Sequence, residues 1–195
     1  MIIGITGPTG SGKTTLLNLL SQQGALILDC DQIYHDLLKT DPVLLHAIDA
    51  RFPGCVNDAG LDRKKLGEIV FSDNAALQDL NHITHSFVYE AVLSKLKNAP
   101  SLTAIDAIGL FEGGLAQLCD VTVAVTAEES IRIARLIARD GISEEYAKMR
   151  IRSQKDPADF AKVCDYVLEN NGTQADFRNK CLAFFQDLGI MNMEP

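Results

Sequence analysis

Near the start of the chain, Gly7-Pro8-Thr9-Gly10-Ser11-Gly12-Lys13-Thr14 fits the pattern G-x-x-x-x-G-K-[ST]. That spacing serves the cradling of a phosphate chain. Glycines allow backbone conformations that a Cβ forbids, so successive N–H groups can turn inward around an anion. Lys13 adds a mobile point charge for β- and γ-phosphates, and the Thr14 hydroxyl suits Mg²⁺ coordination. Further chemistry-bearing residues stand at the ends of apolar runs. Asp29 and Asp31 follow Gly24-Ala25-Leu26-Ile27-Leu28, at the strand end where open α/β sheets bind ligands. Either can accept a proton from a substrate hydroxyl or orient it, and the plain alternative for Asp31 is the cap of a following helix. Asp106 ends Leu102-Thr103-Ala104-Ile105, the usual place for an acid that reaches Mg²⁺ directly or through water. Arg132, Arg135 and Arg139 share one helix face, suited to neutralising transferring phosphate charge. Local pairing with Glu128 is expected for Arg132 and not for Arg139. His82 and His85 lie three apart on a helix without further ligands, so no metal is expected there.

The elements that must position these groups follow from periodicity and punctuation. Met1 to Thr6 reads as a short buried strand, and Leu16, Leu17, Leu19 and Leu20 give a helical apolar stripe that stops at Gly24. Gly24 to Leu28 is a second strand. A mostly helical stretch follows, with pieces at Gln32–Lys39, Val43–Arg51, Arg63–Phe71 and a long helix from about Ala75 to Lys97, punctuated by Pro42, Pro53-Gly54 and Asp58-Ala59-Gly60. Leu102–Asp106, Val121–Val125 and Tyr166–Glu169 are further strands. Thr126-Ala127-Glu128-Glu129 reads as a capping box opening a helix to about Arg139. Ser143 to Lys155 is another helix, closed by Asp156-Pro157, and Thr173-Gln174-Ala175-Asp176 caps the last one.

Alternating strands and helices predict an α/β P-loop three-layer sandwich around a central parallel sheet. The expected core comprises residues 1–31, 101–140 and 163–195. Residues 32–100 form an inserted helical acceptor subdomain, too long for a bare crossover, and residues 141–162 form a small helical lid.

Composition narrows the class. A chain of 195 residues with 47% hydrophobic residues has enough material for one sizeable core. A net charge of −8 and a pI of about 4.9 argue against nucleic-acid or anionic-membrane binding, although a local basic pocket remains compatible with them. Five cysteines without a C-x-x-C pair suit buried thiols in a reducing cytoplasm. The chain runs at once into the P-loop, so no signal peptide is expected, and no run approaches the length of a membrane span. Oligomeric state leaves no trace in the sequence.

Taken in order, these motifs resemble the dephospho-coenzyme A kinases, P-loop kinases of the nucleoside-monophosphate-kinase type. The resemblance runs almost end to end: the P-loop, Asp29-Cys30-Asp31-Gln32-Ile33, Leu61-Asp62-Arg63-Lys64-Lys65-Leu66, Val70-Phe71, His85 and Leu110-Phe111-Glu112 with Gly114-Leu115. It continues with Arg139-Asp140-Gly141-Ile142-Ser143-Glu144-Glu145, Gln154 and Glu169-Asn170-Asn171-Gly172. The resemblance implies ATP- and Mg²⁺-dependent phosphorylation of the ribose 3′-hydroxyl of dephospho-coenzyme A. It implies Lys13, Asp31 and Arg139 as catalytic residues, with Asp31 as base or hydroxyl-orienting group and Arg139 meeting ATP. The nucleotide set is then Gly7, Gly10, Ser11, Gly12, Lys13, Thr14 and Thr15, with Asn170, Asn171 and Gly172 near the adenine. Asp31, Arg63, His85, Phe111 and Glu112 are the implied acceptor residues, and Thr14, Asp29 and Asp106 the implied metal ligands. The chain departs from the family pattern at Pro8-Thr9, Ser86 and Ile108-Gly109. Two alternatives stand beside this reading. One is a related small-molecule kinase with another hydroxyl acceptor, motivated by Ser86 and Ile108-Gly109. The other is a GTP-dependent switch, motivated by Asp106-Ala107-Ile108-Gly109 (D-x-x-G) but lacking an [NT]-K-x-D motif.

Overall fold

The computed structural model describes residues 1–190; the last five positions of the expected core segment, 191–195, lie outside the described residues. Five parallel-sheet strands appear where apolar runs are bounded by turn residues: β1 (Ile2–Thr6), β2 (Leu26–Asp29), β5 (Thr103–Asp106), β6 (Val121–Thr126) and β7 (Tyr166–Glu169). Their order is β2-β5-β1-β6-β7. β1 is central because Ile3-Gly4-Ile5-Thr6 is buried throughout, as a strand flanked on both edges must be. Ile3 pairs in parallel with Ala104 on one side and Val121 on the other, and Leu168 of β7 is in register with Val125 of β6. β2 begins at Leu26 rather than Gly24 and carries Asp29 as its last residue, because Gly24 takes a left-handed turn at φ +82°.

The described residues divide into two compact units: Met1–Ile27, Ala99–Leu110 and 119–190 form the first, and Leu28–Asn98 with Phe111–Leu118 the second. In the first, Ile3, Ile5 and Val123 of the sheet pack with Leu16 and Leu20 of α1 (Lys13–Gln22) and with Phe177, Phe184 and Phe185 of α9 (Gln174–Asp187). The final helix opens on the expected cap at Thr173, which takes the form of a capping box. Asp176 N–H donates to Thr173 Oγ1, and Thr173 N–H to Asp176 Oδ2.

The second unit contains α2 (Cys30–Thr40), α3 (Pro42–Arg51), α4 (Arg63–Val70) and α5 (Asn74–Leu96), centred on Leu44, Ile48, Phe52, Leu66 and Val70. It is not purely helical. Val56–Asn57 (β3) and Gly60–Leu61 (β4) pair antiparallel across Asp58-Ala59, a hairpin turn that the sequence shows as mere punctuation.

Besides shifts of one or two residues elsewhere, such as α2 beginning at Cys30 and not at Gln32, two helix boundaries depart from expectation. The stretch from Thr126 to Glu129 is no capping box: Thr126 completes β6, and α6 (Glu129–Asp140) begins after Glu128 with no side-chain cap. The Glu128 N–H is instead taken by Asn171 Oδ1 at 2.9 Å. The helix expected over Ser143–Lys155 ends at Arg152 as α7 (Glu144–Arg152). Asp156-Pro157 opens α8 (Pro157–Val163), with Asp156 Oδ1 accepting Ala158 N–H at 2.8 Å and Pro157 in the first turn. Proline suits a helix start as readily as a helix end, because the first-turn N–H lacks a partner in any case. Within the first unit, α7 rests on α6 through Leu136, Ala147 and Ile151.

Candidate active site

The P-loop leaves β1 through Gly7, at φ +137°, where an added Cβ would collide with the Val125 carbonyl oxygen. It enters α1 through Gly12, at φ +100°, where a Cβ would meet Asn170 Nδ2. Both positions require glycine on two counts, backbone angle and space. Gly12 is also the N-cap of α1 and offers no side-chain acceptor, and the start of such a helix is a place where anions bind. Lys13 Nζ donates to Gly7 O at 2.8 Å, which folds the ammonium back over the loop. Thr14 is exposed, Thr15 is half-buried with its N–H on Gly12 O, and Ser11 is fully buried.

The carbonyl side of the loop is gripped by residues the sequence assigns elsewhere. Arg132 does not pair with Glu128. Only 2% of its surface is exposed, and its Nε donates to Thr9 O at 2.9 Å while Nη2 reaches Gln154 Oε1 at 3.4 Å. Burial pulls the Arg132 guanidinium below its ordinary value, against the opposing field of Glu129 and Asp156. Arg135 Nη1 donates to Gly10 O and Ser11 O, and its Nη2 to both oxygens of Asn170. Asn170, itself 5% exposed, donates through Nδ2 to Ser11 O at 2.8 Å. These contacts come from a helix face and a strand end far apart in sequence. Spacing alone gives three arginines on one face and does not say that two of them hold backbone.

Arg139 is the one that pairs locally. Its Nε and Nη2 lie 2.6 and 3.0 Å from the two oxygens of Asp140, which also accepts from Arg150 at 2.6 Å. Those two guanidinium groups hold the Asp140 carboxyl down at about 2. Beside the loop, a cavity of about 540 Å³ is lined by Glu128, Glu129, Gln154, Pro157 and Asn171 among others. Gly172 follows, exposed, in the turn before α9. Asp106 stands half-buried at the end of β5.

In the second unit, Asp29 rather than Asp31 caps α2: Asp29 Oδ1 accepts Gln32 N–H at 2.9 Å. Asp31 is exposed in the first turn of the helix. Arg63 Nη2 lies 3.2 Å from His35 Nδ1. His85 and Glu112 line a cavity of about 600 Å³ with His82, Ser86 and Tyr89, and Phe111, half-buried, precedes Glu112. Burial, and secondly the neighbouring His82, hold His85 below its ordinary 6.5, so its neutral imidazole is favoured at pH 7. Among the described residues, no group of three or more His, Cys, Asp or Glu side chains could hold a metal ion by itself.

A family model described as dephospho-CoA kinase matches residues 1–176 of this chain. A dephospho-CoA kinase of Lactobacillus acidophilus is 34% identical over 185 residues, covering 92% of each chain. Among solved structures, a Thermus thermophilus protein superposes with a TM-score of 0.80 at 32% identity, over 96% of this chain and 97% of its own. A shikimate kinase of Bacteroides thetaiotaomicron shares the fold alone, at a TM-score of 0.53 and 16% identity over 97% of this chain and 98% of its own.

Proposed function

The chain belongs to the dephospho-CoA kinase family, and from that membership we propose how its residues move the γ-phosphoryl group of ATP to the ribose 3′-hydroxyl of dephospho-coenzyme A. The products are coenzyme A and ADP. The observation that carries the reading is the complete P-loop in a family-matched chain, its N–H groups opening α1 and its carbonyl side braced by Arg132, Arg135 and Asn170.

In this reading the loop N–H groups and Lys13 receive the β- and γ-phosphates, and the transferring charge is met by fixed dipoles that need no reorganisation. Asp31 orients the acceptor hydroxyl or takes its proton. The second unit is the acceptor subdomain, with Arg63, His85, Phe111 and Glu112 meeting dephospho-coenzyme A. Residues 141–162 serve as the lid, and the loop of Asn170, Asn171 and Gly172 lies near the adenine.

Mg²⁺ fits the oxygen donors present. Thr14 offers an exposed hydroxyl at the start of α1 and Asp106 a carboxylate at the end of β5, a sparse set typical of an ion that keeps waters and substrate phosphates as its other ligands. Asp29 is a third candidate, with one carboxylate oxygen already capping α2. The ion would neutralise charge on the β- and γ-oxygens. Five free cysteines support a reducing, cytoplasmic setting, and no helix among the described residues is long and apolar enough to cross a membrane.

An ADP-release assay with ATP and Mg²⁺ tests the reaction, comparing dephospho-coenzyme A with nucleosides, nucleoside monophosphates and shikimate. Acceleration by dephospho-coenzyme A is expected. Turnover only with another acceptor sinks the assignment, and rapid GTP hydrolysis without acceptor favours a switch. Arg139 is tested separately. If it leaves Asp140 to clamp ATP, Arg139→Lys lowers kcat/KM for ATP by more than about tenfold, because a point charge cannot reproduce the planar fork. A silent substitution would leave Arg139 as a surface pair with Asp140.

A further inference from the structure

Thr9 is a P-loop residue whose peptide is held on both sides. Gln154 Oε1 accepts the Thr9 N–H at 2.8 Å, and Arg132 Nε donates to Thr9 O at 2.9 Å. Arg132 Nη2 closes the ring by donating to the same Gln154 oxygen at 3.4 Å. The three partners come from the P-loop, from α6 and from the segment between α7 and α8, so this ring ties that segment to the phosphate loop. We propose that Gln154 is a positioning residue: through the Thr9 peptide and the buried Arg132 it sets the shape of the phosphate-binding loop and thereby the affinity for nucleotide phosphates. The proposal rests on the nucleotide-binding reading of the P-loop and goes beyond it by naming what holds the loop.

The residue types fit the task. A loop with glycines at positions 7, 10 and 12 has wide backbone freedom, and an anion that had to order it would bind more weakly for that reason. Fixing the Thr9 peptide beforehand fixes the entry to Gly10, while Arg135 and Asn170 fix Gly10 O and Ser11 O further on. A carboxamide oxygen accepts from two donors at once without placing an anion beside the phosphates. Arg132 is almost fully buried, and its guanidinium needs that acceptor as well as Thr9 O.

Gln154 also lines the cavity beside the loop, so direct contact with a base is the competing role. Binding of adenosine, ADP and a non-hydrolysable ATP analogue, measured by calorimetry on the full chain, separates the two. Gln154→Met keeps the length of the side chain and removes the acceptor. It is expected to leave adenosine affinity unchanged and to weaken ADP and the analogue by about tenfold, the scale of losing a small hydrogen-bond ring. Gln154→Glu keeps an acceptor oxygen but adds the anion that the carboxamide avoids, so it too should leave adenosine affinity unchanged and weaken ADP and the analogue, at least as much as Gln154→Met does. Equal losses for adenosine and ADP would overturn the proposal in favour of base contact, and unchanged ADP affinity would overturn it outright. Should the Met variant fail to fold, Gln154→Asn keeps the amide but withdraws it by one methylene, and the same phosphate-selective loss is expected of it. Wild-type protein that binds no ADP would sink the nucleotide reading itself, a result distinct from either of those.

Discussion

Replacing Lys13 with methionine is expected to lower kcat by about a hundredfold or more while changing the KM for ATP far less. Methionine matches the length of the lysine stem and removes only the ammonium. That ammonium donates to Gly7 O at 2.8 Å, which keeps it at the loop. Charge on the bridging and γ-phosphoryl oxygens grows as transfer proceeds, so a fixed cation interacts more strongly with the transition state than with bound ATP. Ground-state binding is spread over several N–H groups, which the substitution leaves in place. The fold should survive, since Lys13 is half-buried at a helix start and methionine is a good helix former. Near-normal turnover in a folded Lys13→Met protein would remove the P-loop from the mechanism.

Much of the architecture was legible because its signals are local. β7 and the cap of the last helix at Thr173 need only a short apolar run and a four-residue cap, and both appear at the expected residues. The parallel sheet followed from apolar strands alternating with amphipathic helices. What was missed depends on contacts between segments far apart in sequence. Thr126 to Glu129 has the residue types of a capping box, yet Thr126 is claimed by β6, and the Glu128 N–H is satisfied by Asn171 on a loop more than forty positions away. The hairpin at Val56–Leu61 was hidden because its strands are two residues each, too short for alternation to show.

The candidate site divides in the same way. The P-loop is one contiguous motif, Gly7 to Thr14, and so is visible in the sequence as a unit. The arginine face was read correctly as a face but with its members exchanged. Charge spacing favoured a Glu128 partner for Arg132, whereas burial against the P-loop gives it the Thr9 carbonyl and leaves the exposed Arg139 to Asp140. No propensity distinguishes a guanidinium that grips backbone from one that awaits phosphate. Gln154 had one sequence signal, its place in the ordered family motifs, and its hydrogen bond to Thr9 spans 145 positions.

In the proposed reaction Asp31 serves the acceptor hydroxyl, and on that proposal Asp31→Asn is expected to lower kcat by about 10²–10⁴-fold while leaving the fold and ATP affinity intact. The structure removes the bland account of this residue. A cap at Asp31 would make asparagine nearly neutral, but the α2 cap is Asp29, whose Oδ1 holds the Gln32 N–H. Asp31 sits two positions further in, exposed in the first turn, where its carboxylate favours the helix through the dipole by about 0.3–1 kcal/mol. Asp31→Asn and Asp31→Ala should therefore both melt close to wild type and both lose turnover, since neither supplies a negative charge to attract or receive the hydroxyl proton. Phosphoryl transfer through a loose transition state asks little of a base, so the loss measures orientation as much as proton transfer. Asp29→Asn provides the contrast: asparagine caps as well as aspartate, and any loss there should recover as Mg²⁺ is raised, which the loss in Asp31→Asn should not. Measuring kcat, melting temperature and Mg²⁺ dependence for the three variants separates orientation of the acceptor, helix capping and metal binding. Full activity in Asp31→Asn would take the acceptor chemistry away from this residue, whatever the fold retains.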